Sequence, residues 1–148
     1  MKKAITLLLL SILIISSLSI PIMAAAMTSD NEILPRWNNT NTCKTNFTIT
    51  ESGTAQVLVQ YQGIPDVTTN VETRVQLEKK VLGLFWSKVD IGEPNDEWIV
   101  ISSNINDTIV HTTHLNKKGT YRAVFEVTFS GSNGPDDVVE IKTEAKYE

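Results

Sequence analysis

The chain has 148 residues, with 13 Lys and Arg against 17 Asp and Glu, one Cys and two His. An acidic balance argues against a nucleic-acid partner, because phosphate contacts need clustered Lys and Arg. A single Cys closes no intrachain disulfide, and two His with one Cys offer little to a metal ion.

The N-terminus reads as an export signal. Lys2-Lys3 precedes a run from Ala4 to Ile20 that is apolar apart from Thr6 and four Ser. Pro21 breaks the run, and Ala24-Ala25-Ala26 sets small residues for cleavage before Met27. The run falls short of the roughly 20 residues of a spanning helix, so no stable membrane span is expected after cleavage. With Lys2 and Lys3 removed, 11 basic residues face 17 acids, a net charge of −6. A remainder of about 122 residues is enough for one domain that buries its own core without disulfide staples. Export without paired Cys fits a bacterial chain, with the product extracellular or associated with the cell wall.

Met27 to Asn41 is polar and aperiodic, which predicts a flexible lead-in before a domain spanning 42–148; Ile33-Leu34-Pro35 and Trp37 are its only apolar island. From there apolar residues alternate instead of recurring every three or four, the signature of strands. Cys43, Thr45, Phe47 and Ile49 share one parity, and Ala55, Val57, Val59 and Tyr61 share the next after a turn at Ser52-Gly53. Val67, Thr69, Val71, Thr73, Val75 and Leu77 form one face of a third strand, with polar residues between them throughout. Gly83 marks a bulge or bend inside Val81-Leu82-Gly83-Leu84-Phe85-Trp86.

Trp98 to Ile101 and Ile109 to Leu115 predict two further strands. Tyr121, Ala123, Phe125, Val127 and Phe129 define a long one, and Val138 to Ala145 the last. Pro35, Pro65, Pro94 and Pro135 all fall between segments, where a missing N–H harms no ladder. The expectation is an all-β, two-sheet antiparallel sandwich of seven or eight strands, with a jelly roll or small barrel as the alternatives.

Leu115-Asn116-Lys117-Lys118-Gly119-Thr120-Tyr121-Arg122-Ala123 resembles the entry to strand F of immunoglobulin-like domains, where a Tyr hydroxyl bonds back to the chain upstream. The resemblance implies an immunoglobulin-like topology, with Ala123 where antibody domains carry Cys and Trp86 in the role of the buried core Trp. The same stretch, with Lys79-Lys80, Leu84-Phe85-Trp86 and the final strand, looks like a family of small bacterial secreted proteins that has no established activity. That family implies secretion and a sandwich over 42–148, and supplies no catalytic residue.

Candidate chemistry is sparse. His111 and His114 sit three apart in a strand, so they point to opposite faces and read as two strand-surface histidines. Asp90, Glu93, Asn95, Asp96 and Glu97 crowd one loop and Asp136-Asp137 another, but their spacing fits no regular calcium loop. Cys43 shares parity with Phe47 and Ile49 and reads as a small core residue. There is no Gly-x-Ser-x-Gly elbow. No residue is therefore assigned a catalytic, cofactor-binding or metal-ligating role.

What remains is a secreted, non-catalytic binding or cell-surface interaction module with an unknown extracellular or cell-wall partner. The alternatives are a structural subunit of an extracellular assembly, which would self-associate, and a small secreted effector, either an inhibitor or an antagonistic toxin. The candidate contact loops are Gly63 to Asp66, Ile91 to Asp96 and Ser130 to Asp137, with Trp37 and Trp98 as aromatic candidates if exposed.

Overall fold

A computed structural model describes residues 37–148; the expected signal and most of the expected lead-in lie outside the described residues. Eight strands follow in order: β1 (Thr40–Ile49), β2 (Thr54–Gly63), β3 (Thr68–Val81), β4 (Phe85–Lys88), β5 (Glu97–Ser102), β6 (Asn106–His114), β7 (Gly119–Gly131) and β8 (Asp137–Tyr147). A single 3₁₀ turn at Pro94–Asp96 precedes β5.

The strands form two antiparallel sheets that remain separate and do not close into a barrel. One has three strands in the order β1-β2-β6. The other has five, in the order β4-β3-β7-β8, with β5 also paired to β3. Strand β3 is long enough to hold two partners along one edge: β5 meets residues 71–76 and β4 meets residues 78–81.

The core fills the space between the sheets, because the inward parity of each strand is apolar. Val57 and Val59 on β2 face Val71, Val75 and Leu77 on β3 and Phe125 on β7, all nearly inaccessible to solvent. Tyr61 and Phe129 meet edge to face across the gap, with ring centres 5.8 Å apart. At the entry to β7 the buried Tyr121 donates its hydroxyl to the Lys117 carbonyl four residues upstream.

Parity holds as expected from Val71 to Leu77 but not at the start of β3, where Thr68 is buried and Thr69 exposed. A register shift between Thr68 and Asn70 on the pairing with β7 flips the faces there. The buried Thr68 hydroxyl is satisfied by donating to the Asn39 carbonyl.

Strand β1 starts at Thr40, and the residues just before it are already fixed. The Asp137 carboxylate accepts the backbone N–H of Asn38 at 3.0 Å and of Asn39 at 2.6 Å. The Asn39 amide donates to the Pro135 carbonyl at 2.9 Å. This clasp sits at the pole of the sandwich where β3 begins and β7 ends.

Candidate functional site

The opposite pole carries an arrangement that soluble folds normally avoid. Strands β3 and β4 project as a hairpin, and its tip is apolar and open: Leu82 is 83% exposed, Leu84 82% and Phe85 52%. Single exposed apolar residues are common on folded proteins, whereas three together at one loop tip are not.

The turn itself sharpens the point. Leu84 donates its N–H to the Val81 carbonyl at 3.1 Å, and Leu82 and Gly83 both carry positive φ, 52° and 70°. That is the type I′ pattern, whose first central position favours Asn, Asp or Gly. Leu82 thus accepts backbone strain while placing a large apolar side chain in solvent, a combination that serves neither local geometry nor the core.

Basic residues surround the tip. Over residues 37–148 there are 10 Lys and Arg against 15 Asp and Glu, yet Lys79, Lys80, Lys88, Lys117, Lys118 and Arg122 lie at this pole. Arg122 pairs with Glu78, and Lys88 with Glu97 at 3.2 Å. Lys79, Lys80, Lys117 and Lys118 have no ion-pair partner among the described residues. Three of these four lie against aromatic faces: Lys79 Nζ is 5.4 Å from the Tyr121 ring centre, Lys80 5.4 Å from Trp86 and Lys118 6.0 Å from Tyr147.

Beneath the hairpin lies a hollow of about 330 Å³. Its walls include Lys79, Val81, Lys88, Asp90, Lys117 and Tyr121. A larger, polar hollow of about 510 Å³ lies at the other end of the three-stranded sheet, against Thr42, Lys44, Gln60, Gln62, Asn106 and Thr108. Tyr61 and Asp107 also line it, so it presents amides and hydroxyls with one charge of each sign.

The residues singled out in the sequence fall elsewhere. Trp86 is not the core Trp: it lies half-buried on the outer face of β4, with the Arg122 guanidinium 4.3 Å from its ring centre. Trp98 is the buried one, 6% exposed, and Trp37 packs half-buried against the core, so neither offers a free contact surface. His114 points outward, but His111 is half-buried and stacks on Trp98.

Cys43 is half-buried beside the core, and burial pushes its thiol up to about 11. The acids of the Ile91–Asp96 loop do not converge; Asp90 accepts the Gly92 N–H at 2.9 Å, and Glu97 turns to Arg74 and Lys88. Among the described residues no cluster of His, Cys, Asp and Glu is arranged to hold a metal ion.

Gly63–Asp66 and Ser130–Asp137 gather at the clasp pole, away from the hairpin. The hairpin tip was not among the candidate loops, although its signal is in the sequence: five apolar residues around a turn glycine, directly after Lys79-Lys80. Among the described residues no helix is long and apolar enough to cross a membrane. No protein-family model, no curated protein and no solved structure matches the chain.

Proposed function

We propose that the chain is an exported bacterial binding module with no chemistry of its own, which engages its partner through the tip of the β3–β4 hairpin. The exposed Leu82, Leu84 and Phe85 on a strained turn carry this reading. An apolar tip held against both solvation and backbone preference needs a partner to offset its cost. The rest of the molecule serves as a scaffold that holds the hairpin out.

The scaffold is an immunoglobulin-like sandwich in this reading. The strand orders β1-β2-β6 and β4-β3-β7-β8, the Tyr121 bond to Lys117 and the inward Ala123 two residues on all support it. Export rests on the Lys2-Lys3, apolar and Ala24-Ala25-Ala26 pattern of the first 26 residues.

The test is retention on the envelope. The labelled chain, processed at Met27, is incubated with envelope fractions of the producing cells beside a Leu82→Asn/Leu84→Asn variant. Retention that the variant loses supports the reading. Absence of retention, or retention that the variant keeps, overturns it.

A further inference from the structure

We propose that the partner of the hairpin is an anionic phospholipid surface, into which Leu82, Leu84 and Phe85 insert while the lysines behind them meet lipid phosphates. This rests on the reading of the tip as the docking end and names its occupant.

Shape is the first argument. The tip is a narrow convex projection, whereas a stable protein interface needs roughly 800 Å² of fitted surface on each partner. Three apolar side chains on one turn provide little of that. A bilayer asks for no fitted counterpart, because its acyl boundary opens around an apolar wedge.

Depth is the second. Lys79 and Lys80 lie two to three residues behind Leu82, about 7–10 Å at the rise of a strand. Peripheral apolar faces sink roughly 5–10 Å into the boundary between headgroups and acyl chains. With the tip at that depth, the ammonium groups come level with the phosphates. The half-buried Trp86 and Tyr147 occupy the same layer, where amphipathic rings are favoured.

Charge is the third. The domain is acidic as a whole, so a neutral or randomly charged rim would be repelled by an anionic surface. Of the six lysines without an ion-pair partner among the described residues, four instead gather around the tip, two from the hairpin and two from the β6–β7 loop, while Lys44 and Lys142 lie elsewhere. Their aliphatic stems tolerate an apolar surrounding while the ammonium groups reach outward. The hollow behind the hairpin, walled by Lys79, Lys88 and Lys117 against the single carboxylate of Asp90, has room for one headgroup phosphate beneath the inserted tip.

The experiment is cosedimentation of the processed chain with two vesicle preparations, phosphatidylcholine alone and phosphatidylcholine mixed with phosphatidylglycerol. Binding is expected only to the second, and to weaken as salt is added. The Leu82→Asn/Leu84→Asn variant should lose about tenfold or more in partitioning, the effect of withholding Leu side chains from an apolar phase. A Lys117→Gln/Lys118→Gln variant should lose the preference for phosphatidylglycerol. Val110→Asn/Val138→Asn, which removes exposed apolar residues away from the tip, should bind as the parent does.

A melting curve for each variant separates lost binding from lost folding. No binding to the anionic vesicles, or binding that the tip variant retains, overturns the proposal. If the tip still governs retention on delipidated envelope while vesicles fail, the partner is a protein or wall polymer; only the lipid assignment then falls.

Discussion

The indole of Trp98 on β5 and the imidazole of His111 on β6 lie parallel, with ring centres 5.1 Å apart and planes within 2°. The two strands belong to different sheets, so this stack closes the flank of the sandwich on which no strand pairing joins them. Burial lowers the His111 pKa, and the charge of Glu93 only partly opposes it. The fold therefore favours the neutral ring, while the unfolded chain takes up a proton at about pH 6.5. Stability is complete above that pH and declines as pH falls from there toward the lower folded value. His111→Phe keeps an aromatic face on Trp98 and should flatten this part of the profile in urea unfolding followed across mildly acidic pH.

The clasp at the other pole titrates at lower pH. Burial alone would raise the Asp137 pKa, but bonds from the Asn38 and Asn39 N–H groups more than offset it and hold the carboxyl below its ordinary range. Its contribution is full above about pH 3.9 and is lost as pH falls through the folded value. Asp137→Ala leaves the two N–H groups without their acceptor and should cost about 1–3 kcal/mol at neutral pH. Chemical unfolding reads the loss, and the acid-unfolding midpoint should rise.

Gly131 ends β7 beneath the same clasp. A Cβ there would stand 2.5 Å from the Val67 carbonyl and closer still to the Asn39 side chain. Backbone on one side leaves the neighbours little room to yield, so Gly131→Ala should destabilise the fold by about 1–3 kcal/mol. The melting temperature is the readout.

Leu82→Asn should act in the opposite sense on stability. Asn suits the positive φ of 52° that Leu82 endures, and it removes an apolar side chain from water. A rise of about 0.5–1 kcal/mol is expected, measured by urea unfolding. Stability gained together with binding lost would show that Leu82 is kept for contact.

A thiol that titrates at about 11 is protonated at neutral pH. Against its ordinary value of 9.0, the thiolate fraction of Cys43 near pH 8 is about 100-fold smaller. Alkylation by iodoacetamide should be slower than in denaturant by at least that factor. Equal rates in the two conditions would mean that the edge strand β1 detaches readily.

The long strands were legible because their residues alternate cleanly: Val71 to Leu77 on β3 and Tyr121 to Phe129 on β7 carry their inward faces in the sequence. The short ones were not. Trp86 and Trp98 both sit in apolar runs where alternation gives no answer, and only the pairing with β3 decides their faces. Trp98 lies opposite Val75, which points inward, and Trp86 opposite Lys80 on the outer side. Side chains directly across a ladder share a face, so register assigns one Trp to the core and leaves the other outside. The start of β3 was hidden for a related reason, since one bulge inverts every face beyond it. His111 followed Trp98 inward.

The clasp also governs how the molecule can be held. It fixes the entering chain at the pole where β3 begins, and the 14 residues of that strand run about 40 Å to the hairpin turn. A tether attached upstream of Trp37 would therefore present Leu82 and Leu84 away from its own anchor point. The domain would then span a gap, with a root at one extremity and a foot at the other.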